Sequence, residues 1–226
     1  MAPSQQTLPF APPPFTRAGF LLSPSNSAAV EAISRPQAWP AHAFALIGPA
    51  GCGKTHLASL WAEENDGARL AGPALTLEAA AAAAPSAIAL DDADACSDPA
   101  ALFHLWNLIA QRGGKLLLVG QTPPATWATP LADLASRLGA LAWAEIAAPD
   151  DALLEAMLVR LAQARHIRVE SRLAAYVVLR VERSYLGVQS FVAALDQALC
   201  APGATLGLRL ASQVLDTLYA AGDAEA

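Results

Sequence analysis

An α/β unit with a parallel sheet covered by helices, followed by a small all-helical unit, is the fold class that the sequence predicts, and three observations carry it. Short apolar runs alternate with helix-period segments as far as residue 146, the pattern of strands buried on both faces and joined by crossover helices. After Pro149 four segments carry only the 3.6-residue period, with no strand between them. Between the first apolar run and its helix lies Gly48-Pro49-Ala50-Gly51-Cys52-Gly53-Lys54-Thr55. This stretch satisfies G-x-x-x-x-G-K-[ST] in the strand-to-helix setting that the pattern requires.

Residues 1–18 are rich in Pro, Gln and Ala and lack periodicity, the composition of a flexible tail rather than a packed element. From Phe20 the chain settles. Pro24-Ser25-Asn26 leads into a helical run over 27–34, which Pro36 and Pro40 end before a buried strand over 43–47. The helix that starts in the glycine-rich stretch covers 54–64. A short strand near 68–70 and an alanine-rich helix over 75–84 come next, then the apolar run 87–90, which ends in Asp91-Asp92. Residues 99–111 place Leu102, Leu105, Trp106 and Ile109 on one helical face, and 115–120 read as a buried strand. A short helix over 131–137 and a strand over 141–146 complete the alternation. Helical periodicity then covers 150–164, 171–181, 186–199 and 205–221. The organisation read from this is a tail (1–18), an α/β core (19–148) and a helical unit (149–226).

Composition excludes several classes. Of 226 residues 54% are hydrophobic, much of this alanine in helical stretches, and no apolar run reaches the ~18 residues of a membrane span. The start of the chain has no basic region followed by an apolar core, so no export signal is expected. Three cysteines make no disulfide framework and suit a reducing, cytoplasmic setting. His42, His56, His104 and His166 lack metal-ligand spacing, so no metal beyond magnesium is expected. A net charge of −6 weighs against tight sequence-independent binding to nucleic acid. Arg160, Arg165 and Arg168 stand among acidic residues and read as a solvated face.

The chemistry of the glycine-rich loop can be stated residue by residue. Gly48, Gly51 and Gly53 let the backbone turn its N–H groups inward around an oxyanion, and the helix that follows adds its positive end. Lys54 is placed to reach β- and γ-phosphates, and the Thr55 hydroxyl to ligate magnesium. A tight turn with chance glycines is the competing reading. Such a loop needs a carboxylate opposite it, delivered at the carboxyl end of a buried strand. Asp91 is assigned to the magnesium shell and Asp92 to orienting an attacking water, although a pair of acids after a strand also suits a helix-capping loop. Gln121, at the end of the next strand, is placed to sense a γ-phosphate, or else belongs to a polar loop with a proline turn.

Phe20-Leu21-Leu22-Ser23-Pro24-Ser25-Asn26, the run Gly-Cys-Gly-Lys-Thr-His-Leu at 51–57, Leu90-Asp91-Asp92, Pro123-Pro124 and Asp133-Leu134-Ala135-Ser136-Arg137-Leu138-Gly139 together resemble the AAA+ ATPases of the bacterial replication-initiator group. Within that group the likeness, over residues 18–200, is to the Hda-like, DnaA-homologous regulators. It implies a P-loop AAA+ core with a helical lid, binding ATP or ADP with Mg2+, with His56 among the nucleotide contacts. Arg137 would be an arginine finger acting on a neighbouring molecule's γ-phosphate. Asp92 stands where many ATPases carry glutamate, which puts fast intrinsic hydrolysis in doubt. Family members usually carry a sensing arginine at the start of the third lid helix, and ungapped counting puts Leu186 there. Either Arg183 makes that contact from one turn away, or the lid does not report on the nucleotide.

The tail carries Gln5-Gln6-Thr7-Leu8-Pro9-Phe10, which resembles the motif that docks replication proteins on the β sliding clamp of DNA polymerase III. Leu8, Pro9 and Phe10 would fill its pocket and Gln5 would bond at the rim. No basic recognition helix follows the lid, so direct sequence-specific DNA binding is not expected. The resemblance therefore implies a negative regulator of replication initiation that binds the clamp and stimulates hydrolysis of DnaA-bound ATP, with its own ATPase activity weak or absent. An autonomous P-loop ATPase or kinase, and an initiator-like adaptor, are the rival readings. Whether the chain forms a homodimer is left open.

Overall fold

The computed structural model describes residues 20–220. Five parallel strands form one sheet: β1 (Ala43–Ile47), β2 (Ala68–Ala71), β3 (Ala87–Asp91), β4 (Lys115–Gly120) and β5 (Trp143–Glu145), in the order β2-β3-β4-β1-β5. The near-continuous apolar runs of β1, β3 and β4 are the inner strands, buried on both faces. β1 pairs with β4 and β5, yet the chain leaves β1 for the far edge at β2. That reversal opens a crevice at the carboxyl ends of the strands.

Two layers cover the sheet. On one face α3 (Leu77–Ala82), α4 (Pro99–Gln111) and α5 (Ala132–Gly139) bury Leu90, Leu105, Trp106, Leu118 and Leu134. On the other, α1 (Ser27–Ser34) and α2 (Lys54–Glu64) pack over Leu46, Leu117 and Val119. There the Trp39 ring stacks between Phe44 and Trp61, with centroids at 5.1 and 5.6 Å. The helices α6 (Asp151–Gln163), α7 (Ser171–Val178), α8 (Tyr185–Leu199) and α9 (Leu208–Ala220) surround a separate core that includes Leu154, Leu158, Val177, Phe191 and Leu195.

Several elements are shorter than the periodicity implies, each for a local reason. The alanine-rich helix forms only over Leu77–Ala82, because Leu75 closes a turn on Gly72 and Thr76 Oγ1 caps the helix by accepting the Ala79 N–H. Pro85 disfavours helical backbone just before it. The last strand shrinks to Trp143–Glu145, an edge strand paired with β1 alone, while Leu141 and Ile146 at its flanks turn into opposite cores. In contrast, α8 begins one residue early because Ser184 Oγ accepts the Gly187 N–H at 2.9 Å.

Candidate nucleotide-binding site

The loop between β1 and α2 is held by close contacts on both sides. Gly48 has φ 151°, and a Cβ there would lie 2.3 Å from the Ile146 carbonyl oxygen. Gly51 has φ 71°, and a Cβ there would lie 2.7 Å from the Ser184 Cβ. Both positions exclude any larger residue. Gly53 caps α2 from the left-handed region. Lys54 is buried, and its Nζ donates to the carbonyls of Gly48 at 2.7 Å and Pro49 at 2.8 Å. Its ammonium thus lies in the mouth of the loop. Thr55 is the second residue of α2 and half-buried. Burial pushes the Cys52 thiol up, so this loop cysteine packs rather than acts as a nucleophile.

The segment before α1 folds against this loop. The buried Asn26 donates Nδ2–H to the Leu21 carbonyl at 2.8 Å and accepts the Ser23 N–H at 3.0 Å. The Ala147 N–H donates to the Ser25 carbonyl at 3.0 Å, tying the segment to the exit of β5. Phe20 meets the His56 ring edge-on, with centroids at 5.5 Å. His56 is therefore placed beside the loop, one residue beyond Thr55.

Carboxylates face the loop from the end of β3. Asp91 is buried, and its Oδ2 accepts from Arg69 Nη1 at 3.0 Å, while its Oδ1 is buried without a partner. Asp92 takes left-handed backbone, φ 50°, and is exposed. Its carboxyl is pushed above the ordinary carboxylate range, first by partial desolvation and then by the charges of Asp91 and Asp94; Lys54 and Arg69 pull the other way. Lys54 and the acidic strand end thus lie within each other's field. Asp94 Oδ2 accepts the Gln121 N–H at 2.7 Å, which places Gln121 between the loop and the acids, at the end of the strand that separates β1 from β3.

These residues fit a magnesium nucleotide. The Asp91 Oδ1 orphan needs a cation or a donor, and oxygen donors of this kind suit a hard ion that keeps only one or two carboxylates and takes the rest of its shell from phosphate and water. Among the described residues, no three His, Cys, Asp or Glu side chains converge as a ligand set on their own.

The lid reaches the loop through residues other than Arg183. The Tyr185 N–H donates to the Gly51 carbonyl at 2.9 Å, and Ser184 packs on Gly51. Arg183 is turned to the linker between the two parts, donating to Asp151 Oδ1 at 2.6 Å and to the Pro149 carbonyl at 2.8 Å. Leu186 is exposed.

Arg137 lies elsewhere. On α5, its Nη1 donates to Asn107 Oδ1 at 2.7 Å and its guanidinium stands 4.7 Å from the Phe103 ring centroid. Half-buried, it lines a surface cavity of about 420 Å³ with His42, Trp106 and Leu141. Burial, then the charges of Arg137 and Lys115, pull His42 below its ordinary value and keep it neutral at neutral pH. His42 precedes β1 and Gly48 follows it, so five residues of strand, about 16 Å, separate the Arg137 cavity from the chain's own loop. Gln5, Leu8, Pro9 and Phe10 lie outside the described residues.

Sequence reasoning passed over Arg69, Asp94 and the Ser184–Tyr185 contact. The available signals were a lone arginine on a short strand, a third acid after Asp91-Asp92, and a Ser-x-x-Gly helix start.

Two measurements test this geometry. Lys54→Ala removes the charged donor in the loop and should weaken ATP binding roughly 10–100-fold by calorimetry, the factor carried by a charge-assisted hydrogen bond. Asp92 has a folded pKa raised above its ordinary 3.8. Between 3.8 and that raised value the folded chain holds more protons than the unfolded one, so Asp92 costs stability as pH rises through that window. Asp92→Asn should therefore be the more stable form in urea at neutral pH, with the difference vanishing below the ordinary value.

No family model matches the chain, and no curated protein matches it. Solved structures do. Domain III of the Thermotoga maritima replication initiation protein DnaA has a TM-score of 0.73 at 18% identity, over 91% of this chain and 97% of that one. AMPPCP-bound DnaA from Aquifex aeolicus gives 0.63 at 14% identity, over 96% and 92%. The Thermotoga maritima RuvB Holliday junction branch migration motor gives 0.66 at 22% identity, over 85% and 66%. The chain has the AAA+ P-loop fold of DnaA domain III and RuvB, a five-stranded parallel sheet flanked by helices and followed by a helical part.

Proposed function

We propose that this chain is a regulator of replication initiation that binds ATP or ADP, is held on the DNA polymerase III β sliding clamp by Gln5, Leu8, Pro9 and Phe10, and presents Arg137 to ATP bound by DnaA. Its effect is to stimulate hydrolysis of that ATP and so to restrain initiation in the cytoplasm. The observation that carries this reading is the position of Arg137: it stands at the opposite end of β1 from the chain's own loop, on a surface cavity. A guanidinium there is about a strand's length from the phosphates that its own molecule's loop would hold. Half-buried at a surface cavity, it is placed where a neighbouring molecule could approach it. The likeness in fold to DnaA domain III supports a face-to-face pairing of two similar bodies.

In this reading Lys54 and the N–H groups of the loop hold the phosphates, Thr55 and Asp91 hold magnesium, and Asp92 and Gln121 face the γ-position. Ser184 and Tyr185 tie the lid to the loop. Bound nucleotide supplies the charge that fills this cradle. Arg183 sets the angle of the lid through Asp151 and Pro149. Arg137, a planar cation that stacks on Phe103, is delivered where charge develops during phosphoryl transfer.

The test is single-turnover hydrolysis of ATP preloaded on DnaA, with clamp loaded on DNA. Arg137→Ala should lose about 10³-fold or more of the stimulation while binding ATP as well as the unaltered chain. Deletion of residues 1–12 should abolish the clamp-dependent stimulation. Full stimulation by Arg137→Ala would overturn the assignment of the finger, and clamp-independent stimulation by the unaltered chain would overturn the tether.

A further inference from the structure

The cavity that Arg137 lines borders an uncovered stretch of the sheet's edge. Its polar lining is His42, Asn107 and Arg137, and the rest is five alanines with Pro40, Trp106 and Leu141. No acid is among them. Among the described residues no carboxylate lies within ion-pair distance of Arg137, Asp133 one turn before it on α5 included. Asn107 holds the guanidinium through a neutral oxygen, so its charge stays uncompensated. Lys115 adds a second cation nearby, its Nζ donating to the Ala41 carbonyl at 3.4 Å. Alternate residues of an extended strand share a face. Trp143 therefore lies on the same face of the sheet as Leu141, about 7 Å along the chain from that wall of the cavity. The strand that carries it, β5, is an edge strand paired with β1 alone.

Trp143 is the exception among this chain's five tryptophans. Trp39, Trp61, Trp106 and Trp127 are each 9% exposed or less, whereas Trp143 is 45% exposed. An indole left this open to water forgoes a large apolar burial. Pro40, Ala41, Ala110 and Ala140 are exposed as well, so the ground around the cavity is apolar and its charge is positive. The surface turns acidic only at Glu145, two residues beyond Trp143 on β5. Tryptophan and arginine on an apolar ground from which other charges are depleted is the composition of the centre of a protein interface. We infer that Trp143 anchors the partner whose phosphate Arg137 serves: the indole enters an apolar socket on that partner while the guanidinium takes the anion. The occupant is a protein with a bound nucleoside triphosphate at its surface, since an uncompensated cation on this ground calls for an anion as well as an apolar contact. The inference rests on the reading of Arg137 given above. It adds a residue that supplies affinity to one that supplies rate.

The test is single-turnover hydrolysis of ATP preloaded on DnaA, with clamp loaded on DNA, run over a range of concentrations of the full chain. Trp143→Ala should raise the concentration that gives half-maximal stimulation roughly 30-fold, the factor carried by a buried interface anchor, and leave the maximal rate unchanged. Trp143→Phe should recover most of that loss. Arg137→Ala, run beside it, should lower the maximal rate instead. A half-maximal concentration unmoved by Trp143→Ala, or a fall in maximal rate in its place, would overturn the anchor while leaving Arg137 its role. Full stimulation by Arg137→Ala would remove the reading on which the anchor rests, and the anchor with it. Hydroxyl-radical footprinting of the unaltered chain gives a second readout that no variant's folding can confuse, with the four buried tryptophans as internal controls. Oxidation of Trp143 should fall when DnaA loaded with AMPPCP joins the chain on clamp-loaded DNA. A Trp143 oxidised as fast in that complex as alone would overturn the proposal. So would equal protection by clamp and DNA without DnaA, since the cover would then not be the nucleotide-bearing partner.

Discussion

Strand β1 is the constraint on which the rest of the structure depends. Its five residues are buried on both faces and paired on both edges, by β4 and by β5. At its carboxyl end the chain must turn through Gly48 into the phosphate loop, and at its amino end His42 opens the cavity that Arg137 lines. A strand so enclosed cannot flex to bring its two ends together. The fold thus separates the glycine-rich loop from the Arg137 guanidinium by the length of one rigid strand. This separation supports the proposed function, as does the guanidinium's setting: Asn107 and Phe103 orient Arg137 without sealing it in the core.

The same loop is also where the two parts of the chain meet. Gly51 gives its carbonyl to the Tyr185 N–H and has room for no side chain because Ser184 lies against it. Ser184 in turn caps α8, so the start of the longest lid helix is registered on the phosphate loop by a cap that also has a helix to hold. Arg183, next in sequence, is engaged by Asp151 and Pro149 at the linker. A change in the loop is therefore felt at α8 directly, and at α6 through one ion pair. That pair is exposed on both sides, so it contributes little to the stability of the fold.

Much of this was legible in the sequence because the signals are local. The glycine pattern requires backbone freedom at Gly48 and Gly51, and both are where close packing forbids a Cβ. An apolar run ending in Asp91-Asp92 needed only the period of a buried strand to put carboxylates at the crevice. What was not legible depends on partners far apart in sequence. Arg69 reaches Asp91 across 22 residues and Asp94 holds the Gln121 N–H across 27, and no periodicity encodes either pairing. Arg183 was read as a cation by distance from a helix start, whereas its neighbours at 149 and 151 occupy both of the guanidinium nitrogens that bond there. Element ends were misjudged where a cap or a proline interrupts a run of alanine, since alanine carries helix propensity without marking a boundary.

The separation of Arg137 from its own loop makes trans action the central claim, and a transition-state analogue tests it most directly. Binding of this chain to clamp-loaded DNA and ADP-bound DnaA is measured with and without aluminium fluoride, which completes a mimic of the transferring phosphoryl group. If the guanidinium reaches DnaA's nucleotide, the complex tightens markedly when the mimic forms, and the gain disappears in Arg137→Ala. Equal affinity with and without the mimic, or a gain that survives Arg137→Ala, would contradict it.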